Sequence, residues 1–134
     1  MTLKELSQLY YLNREIERDQ ARLDALRAKV SSPGAISYDG MPKSPVYENK
    51  FERYIAEIVD LEAIIGAKIT QCLHERNRLE RYIAEIPDSL TRQIFQLRFV
   101  SGLSWAQIAL GVGGGNTDEG VRKRVYRYLE REKK

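Results

Sequence analysis

The sequence has few of the residues that cross-link a chain or bind a metal. Its 134 residues include a single cysteine, Cys72, and a single histidine, His74. One cysteine excludes an internal disulfide, and one cysteine with one histidine is not a set of zinc ligands. Neither residue has the neighbours that a nucleophile needs. We therefore expect no enzyme activity, no catalytic residues, no metal and no cofactor.

Long apolar stretches are also lacking. No run approaches the roughly 18 residues that cross a bilayer, and the N-terminus has no signal-peptide pattern. We therefore expect a soluble, cytoplasmic protein with no membrane partner. Aromatic residues make up 9% of the chain and charged residues 31%, a balance that is typical of solvent-exposed helices with narrow apolar faces. An all-α fold is predicted.

Proline and glycine are scarce except in a few places, and these places divide the chain. Residues 31–45 contain three of the four prolines and have no helical periodicity, so they are predicted to form a connector. Pro87 is predicted to end one helix and begin another, because proline suits a first turn but not a helix interior. We therefore predict a helical region over residues 1–86 and a second domain over residues 87–134.

A seven-residue periodicity dominates the region before Pro87. The heptapeptide ERYIAEI occupies residues 52–58 and again residues 80–86, an offset of 28 positions. We predict one helix over residues 3–30 and another from about Val46 to Ile86. An antiparallel hairpin within one chain and a coiled coil between chains would both bury the apolar seams, so a homo-oligomer through these helices is one expectation.

Charged residues interrupt the second seam position of these helices. Such breaks argue against a strict parallel zipper and favour a hairpin or bundle, in which charged stems lie along the apolar edge. The interrupting residues are Asp19, Glu62, Lys68 and Arg76.

Three short helices are predicted after Pro87. Ser104 followed by Gln107 is a capping-box pattern that begins the second of them, with Trp105 on its inner side as part of the core. The glycines of residues 111–115 predict a turn, and Asn116 or Thr117 is expected to cap the last helix. The residues predicted to face inward from the first of the three are Leu90, Ile94, Leu97, Phe99 and Val100.

The last predicted helix is basic on its outer side. Residues 87–134 contain nine Lys or Arg against five Asp or Glu, a local net charge of +4. A helical wheel places Val121, Val125 and Leu129 on one side and most of the cations on the other. A short second helix, a glycine turn and a basic third helix are the pattern of a helix-turn-helix that contacts double-stranded DNA. The predicted DNA-binding residues are Thr117, Glu119, Arg122, Lys123, Arg124, Tyr126, Arg127 and Arg131.

A plainer interpretation of the same helix is a solvated amphipathic helix whose last cations suit the negative end of the helix dipole. The order of the elements, the glycine turn and the charge together favour DNA contact. Residues 111–116 are not predicted to bind a nucleotide, because they follow a helix rather than a strand and lack the Lys-Ser/Thr pair of a phosphate-binding loop.

Residues 87–109, PDSLTRQIFQLRFVSGLSWAQIA, resemble the start of the fourth region of bacterial sigma factors. In that region a Leu-Arg-Phe stretch precedes a Gly-Leu turn and a short helix that ends in Ile-Ala. With the heptads and the DGMPK segment of residues 39–43, the whole chain looks like phage-encoded regulators of the ArpU and RinA type. The resemblance implies that residues 104–110 form the supporting helix and residues 117–129 the recognition helix. One departure is the longer turn at residues 112–116.

This resemblance implies a phage or prophage regulator that activates late genes in the cytoplasm of a bacterial host. A small-terminase-like protein that recognises DNA for packaging is one alternative. A second alternative is a protein adaptor that docks on RNA polymerase through its sigma-like domain. The DNA site, the oligomeric state and the sign of regulation are left open by the sequence.

Overall fold

The structure is a computed structural model that describes residues 1–31 and 45–133, with side chains for all of these except residues 45–49. Within this part of the chain the secondary structure is helical and no strand is present, which confirms the predicted all-α fold. The elements are α1 (Leu3–Leu6), α2 (Gln8–Ser31), α3 (Pro45–Ala84), α4 (Ser89–Phe95) with a π-helical turn directly after it (Gln96–Val100), α5 (Trp105–Val112) and α6 (Asp118–Glu132).

The predicted connector over residues 31–45 lies outside the described residues except at its two ends. Ser31 is the last residue of α2 and Pro45 is the first residue of α3, where a proline is tolerated because its missing N–H has no helical partner in the first turn. The described helices contain no apolar stretch of the length that a bilayer requires.

The first predicted helix is divided at Ser7. Thr2 caps α1, because its hydroxyl oxygen accepts a hydrogen bond from the backbone N–H of Glu5. Ser7 then donates its hydroxyl to the carbonyl of Leu3 at 2.8 Å, and this kind of side-chain bond competes with regular helix geometry. The helix resumes at Gln8 as α2.

The described residues form two compact units. We call residues 14–71 the hairpin unit, and residues 1–13 with residues 72–134 the head unit. Both long helices contribute to both units. The predicted boundary at Pro87 therefore lies inside the head unit.

In the hairpin unit α2 and α3 run antiparallel within one chain. Lys68 Nζ lies 2.6 Å from Asp19 Oδ2, and Arg27 Nη2 lies 3.3 Å from Glu62 Oε1. Three of the charges that interrupt the heptads therefore pair across the hairpin, and the hydrogen bond with Asp19 raises the pKa of Lys68. The buried core between the helices consists of Leu23, Leu26, Leu61 and Ile65, with Ile16, Tyr54 and Ile58 packed against it.

The core of the head unit draws on every helix in it. Residues of α1 and α2 and the last turns of α3 are buried together with residues of α4, α5 and α6. Arg92 donates to the carbonyl of Ile86 at 2.7 Å and so satisfies an acceptor at the end of the long helix. The buried residues include Leu6, Leu9, Leu79, Ile83, Ile86, Ile94, Phe95, Phe99, Ile108, Val121, Val125 and Leu129.

Phe95 is at the centre of this core, which the sequence pattern did not predict. Its side chain is fully buried and its ring centroid lies 5.3 Å from those of both Phe99 and Tyr128. Leu97 and Val100, which were predicted to face inward, are only partly buried. The inward face is instead the adjacent stripe of the helix, whose buried residues Thr91, Ile94, Phe95 and Phe99 are spaced three and four apart. A π-helical turn follows, in which Ser101 N–H donates to the carbonyl of Gln96.

Candidate nucleic-acid interface

Helix α5 has the start that its sequence predicts. Ser104 Oγ accepts from the N–H of Gln107 at 3.2 Å, and Gln107 Oε1 accepts from the N–H of Ser104 at 2.9 Å. The two groups satisfy each other's free backbone donors, which completes the capping box. Ile108 and Ala109 are buried and anchor the helix to the core, whereas Leu110 is 84% exposed.

The glycine turn between α5 and α6 uses three successive backbone conformations that favour glycine. The φ angles of Gly113, Gly114 and Gly115 are +65°, +66° and +77°, in the left-handed region that L side chains rarely occupy. Asn116 then donates its side-chain amide to the carbonyl of Gly113 at 2.7 Å. The turn therefore has a specific hydrogen-bonded geometry.

Helix α6 is capped by Thr117, whose Oγ1 accepts a hydrogen bond from the N–H of Gly120 at 3.0 Å. Of the two residues predicted as the cap, Thr117 is therefore the N-cap and Asn116 is not. Val121, Val125 and Leu129 are buried, and Tyr128 packs partly against the core, so the predicted inner face is confirmed. This buried side fixes the helix to the core of the head unit.

The residues predicted to bind DNA are all on the outer side of α6 or at its start. Lys123 and Arg127 are exposed, near the middle of the outer face. The structure therefore presents this cationic face to solvent. All eight predicted residues are exposed: Thr117, Glu119, Arg122, Lys123, Arg124, Tyr126, Arg127 and Arg131.

The charges on this face are not equivalent. Glu119 Oε1 lies 3.3 Å from Lys123 Nζ and 3.9 Å from Arg122 Nη2, so one carboxylate partly neutralises two cations. Arg127 and Arg131 have no ion pair with any described residue. The excess positive charge therefore lies toward the edge of α6 that carries these two arginines.

At the opposite edge, aromatic and cationic side chains form a stack that joins α6 to the rest of the head. The guanidinium of Arg98 lies 4.2 Å from the ring centroid of Trp105, whose centroid is 6.5 Å from that of Tyr126. Arg122 lies 5.9 Å from the ring of Tyr126 on α6 itself. Cation–π and aromatic contacts of this kind are mutually attractive. The stack helps to fix the orientation of α6.

Two members of this stack were not predicted to lie beside the candidate DNA-binding residues. Trp105 was predicted to be a core residue, and it is partly buried against the core. Arg98 was not singled out, because it belongs to the π-helical turn, where a regular helical wheel misplaces side chains. Tyr126 is 39% exposed, so part of its ring remains accessible beside the arginines.

The chemistry available on this surface is binding. Lysine and arginine side chains offer charge-assisted hydrogen bonds to phosphate oxygens and to base edges. Among the described residues, no group of three or more His, Cys, Asp or Glu side chains is arranged to hold a metal ion.

Comparisons with known proteins give no family for this chain. No protein-family model matches it, and neither a curated protein nor a solved structure does so.

Proposed function

We propose that the protein is a DNA-binding transcriptional regulator of phage or prophage type, which contacts duplex DNA through the outer face of α6 and activates late genes. The observation that carries the proposal is the exposed cationic side of a helix whose other side is buried. A helix held in this way by two further helices is the arrangement that enters a major groove in helix-turn-helix proteins. The likeness of residues 87–109 to sigma region four supports the regulatory role.

The positions of the side chains on α6 suggest a division of work. Lys123 lies at the middle of the exposed face and is the first candidate for a base contact, because the centre of a recognition helix is nearest the groove floor. Arg124 and Arg131 lie at the edge, where the phosphate backbone would pass. Most of the affinity is expected to come from phosphate neutralisation, so binding should weaken steeply as salt is raised.

The first test is a charge reversal on α6 with a matched control. The DNA probe is the genomic sequence around the gene that encodes the protein. Lys123→Glu with Arg127→Glu is expected to weaken binding to this DNA by about tenfold or more for each of the two lost contacts. Arg18→Glu with Arg22→Glu changes the net charge by the same amount on exposed residues of α2 and should leave affinity within a few-fold. Fluorescence anisotropy with labelled duplexes measures both, and circular dichroism checks that each variant is folded.

Equal weakening by the two double variants would show that only net charge matters, which would contradict a binding face on α6. Unchanged affinity in the α6 variant would contradict the proposal more directly. Function retained by that variant in cells would favour the adaptor alternative.

The regulatory part of the proposal is tested by mapping the protein on the genome that encodes it. A peak at a late promoter supports activation of late genes, and a peak at a packaging site supports the terminase alternative. A dimer would place two heads about one helical turn of DNA apart, roughly 34 Å, so a repeated or palindromic site is then expected. Light scattering gives the oligomeric state.

A further inference from the structure

A groove between α4 and α6 has three arginines in its wall. Arg124, Arg127 and Arg131 are spaced three and four residues apart, so their side chains project from one side of α6. The volume of the groove is about 200 Å³. Its lining residues are Thr91, Gly120, Arg124, Arg127, Tyr128 and Arg131.

The charge of this groove is poorly balanced by the protein itself. Arg124 Nη1 lies 3.1 Å from Asp88 Oδ2, but Arg127 and Arg131 have no ion pair among the described residues. Three guanidinium groups around one space repel one another. An anion bound between them would attract all three and so offset this repulsion. The planar fork of each guanidinium matches the oxygens of a phosphate group.

Gly120 makes the groove accessible to a group of that size. It lies on the same side of α6 as the arginines and has no side chain, so the helix backbone itself forms part of the wall. No carboxylate of α6 is among the lining residues. Glu119 pairs with Lys123 and Arg122 on the other part of the face, and Glu132 pairs with the N-terminal amine and Tyr82. The groove is thus selectively cationic.

Asp88 is the counter-charge at one end of the groove. It accepts hydrogen bonds from Thr91 N–H at 3.0 Å and from Thr91 Oγ1 at 2.7 Å while it caps α4. These bonds and the guanidinium of Arg124 hold the pKa of Asp88 below its usual value. The carboxylate is therefore ionised at neutral pH and competes with any incoming anion for Arg124.

We infer that the groove lined by Arg124, Arg127 and Arg131 binds a phosphate group, and that in the DNA complex this is a phosphodiester of the backbone. The part of the inference that names DNA as the source of the phosphate rests on the proposed function. The part that places an anion site in the groove does not. It assigns Arg127 to the backbone rather than to a base. The groove then positions α6 on the duplex without reading sequence, and specificity comes from the remaining face.

Two variants with opposite expected effects test this site. Arg124→Ala with Arg131→Ala should weaken binding to unrelated duplexes and to the protein's own genomic DNA by the same factor, and should reduce the slope of log K against log salt by about two. Asp88→Asn removes the competing charge, while asparagine remains a good helix cap. It should bind both duplexes several-fold more tightly than the unmodified protein.

The control is Arg18→Ala with Arg22→Ala, which removes the same charge from α2 and should leave the slope unchanged. Suppose that Arg124→Ala with Arg131→Ala keeps wild-type affinity and slope, while Lys123→Glu with Arg127→Glu weakens binding as expected. That result would overturn the groove as a phosphate site but leave the proposed DNA binding intact. Weaker binding by Asp88→Asn would also overturn it.

Inorganic phosphate is the probe that separates the groove from the proposed function. Added phosphate should shift the NMR signals of the Arg124, Arg127 and Arg131 side chains, and the shifts should be absent in Arg124→Ala with Arg131→Ala. If the protein bound no duplex but showed these shifts, the DNA proposal would fail and the anion site would stand, with a free phosphate as its ligand. No shift with saturating phosphate and no slope change with DNA would overturn the site.

Discussion

The side chain of Asp88 has two structural roles at the start of α4. The same carboxylate caps α4 through Thr91 and pairs with Arg124 on α6 at 3.1 Å. In addition to the core contacts, a single carboxylate therefore bridges the two helices that form the arginine groove. A change at this residue affects both helix stability and the charge of the groove.

The pH dependence of stability follows from the lowered pKa of Asp88. A carboxylate whose folded pKa is below its unfolded value, 3.8, stabilises the fold above that value, and the stabilisation is lost as pH falls through the folded pKa. Asp88→Asn should therefore melt below the wild type at pH 6, with a difference that shrinks as pH approaches 2. Melting curves across this range measure it. A constant difference at all pH values would mean that the charge of Asp88 does not contribute.

Phe95 is the residue whose truncation should destabilise the head unit most. It is fully buried and contacts the rings of Phe99 and Tyr128, so Phe95→Ala leaves a cavity and should lower the free energy of unfolding by about 3–5 kcal/mol. Leu110→Ala, at an 84% exposed position of α5, is the control and should change it by under about 0.5 kcal/mol. Urea unfolding compares the two. A small effect at Phe95 would contradict its central place in the core.

Phe95 was not predicted from the sequence, whereas the buried residues of α6 were. Val121, Val125 and Leu129 were predicted correctly because α6 is a regular helix, in which spacing alone decides the buried side. Phe95 was missed because Leu90, Ile94 and Leu97 also fit the 3.6-residue period, and the pattern alone does not decide which of two adjacent stripes of the helix faces the core. The groove was missed for another reason: Asp88 is 36 positions from the Arg124 side chain that it pairs with, so only tertiary packing brings the two together.

At the scale of elements, helix ends were more predictable than helix packing. The capping box of Ser104 and Gln107 and the cap at Thr117 depend on residues within one turn of each other, so a short sequence pattern contains all the partners. The hairpin of α2 and α3 depends on pairs such as Asp19 with Lys68. Heptads are compatible with pairing within a chain or between chains, so the choice required the fold.

Two glycine substitutions should have opposite effects because their elements differ. Gly115 in the turn has a φ of +77°, and a Cβ there would meet nothing within 4 Å. Gly115→Ala should therefore cost about 1–3 kcal/mol from backbone strain alone. Gly66 lies inside α3, and a Cβ at this position would also meet nothing within 4 Å, so Gly66→Ala should stabilise by about 0.5–1 kcal/mol.

Thermal unfolding of the two alanine variants distinguishes the elements directly. Neither substitution introduces a clash, so the sign of the change in melting temperature reports the backbone conformation. A stabilised Gly115→Ala variant would contradict the left-handed geometry of the turn. A destabilised Gly66→Ala variant would indicate that this surface of α3 contacts something in solution.

For the whole molecule, the head unit is assembled from both ends of the described chain. Leu6 and Leu9 at the start of the chain and Leu79, Ile83 and Ile86 of the long-helix region are buried in the same core as α4, α5 and α6. Heptad spacing indicates which side of a long helix is apolar. It did not predict that this side would pack against α4, α5 and α6, because the periodicity is the same whichever partner covers the seam.

Excision of the hairpin unit is the sharpest test of this arrangement. Cys72 Sγ donates to Asn13 Oδ1 at 3.6 Å, so a short glycine-rich linker can join residue 13 to residue 72 without moving the head. The joined protein, residues 1–13 and 72–134, is expected to unfold cooperatively because it retains the whole buried cluster. Residues 87–134 alone lack five of its buried side chains and should not. Chemical denaturation followed by circular dichroism compares them, and a cooperative transition in the short fragment but not in the joined protein would show that the core of the head is complete without the hairpin helices.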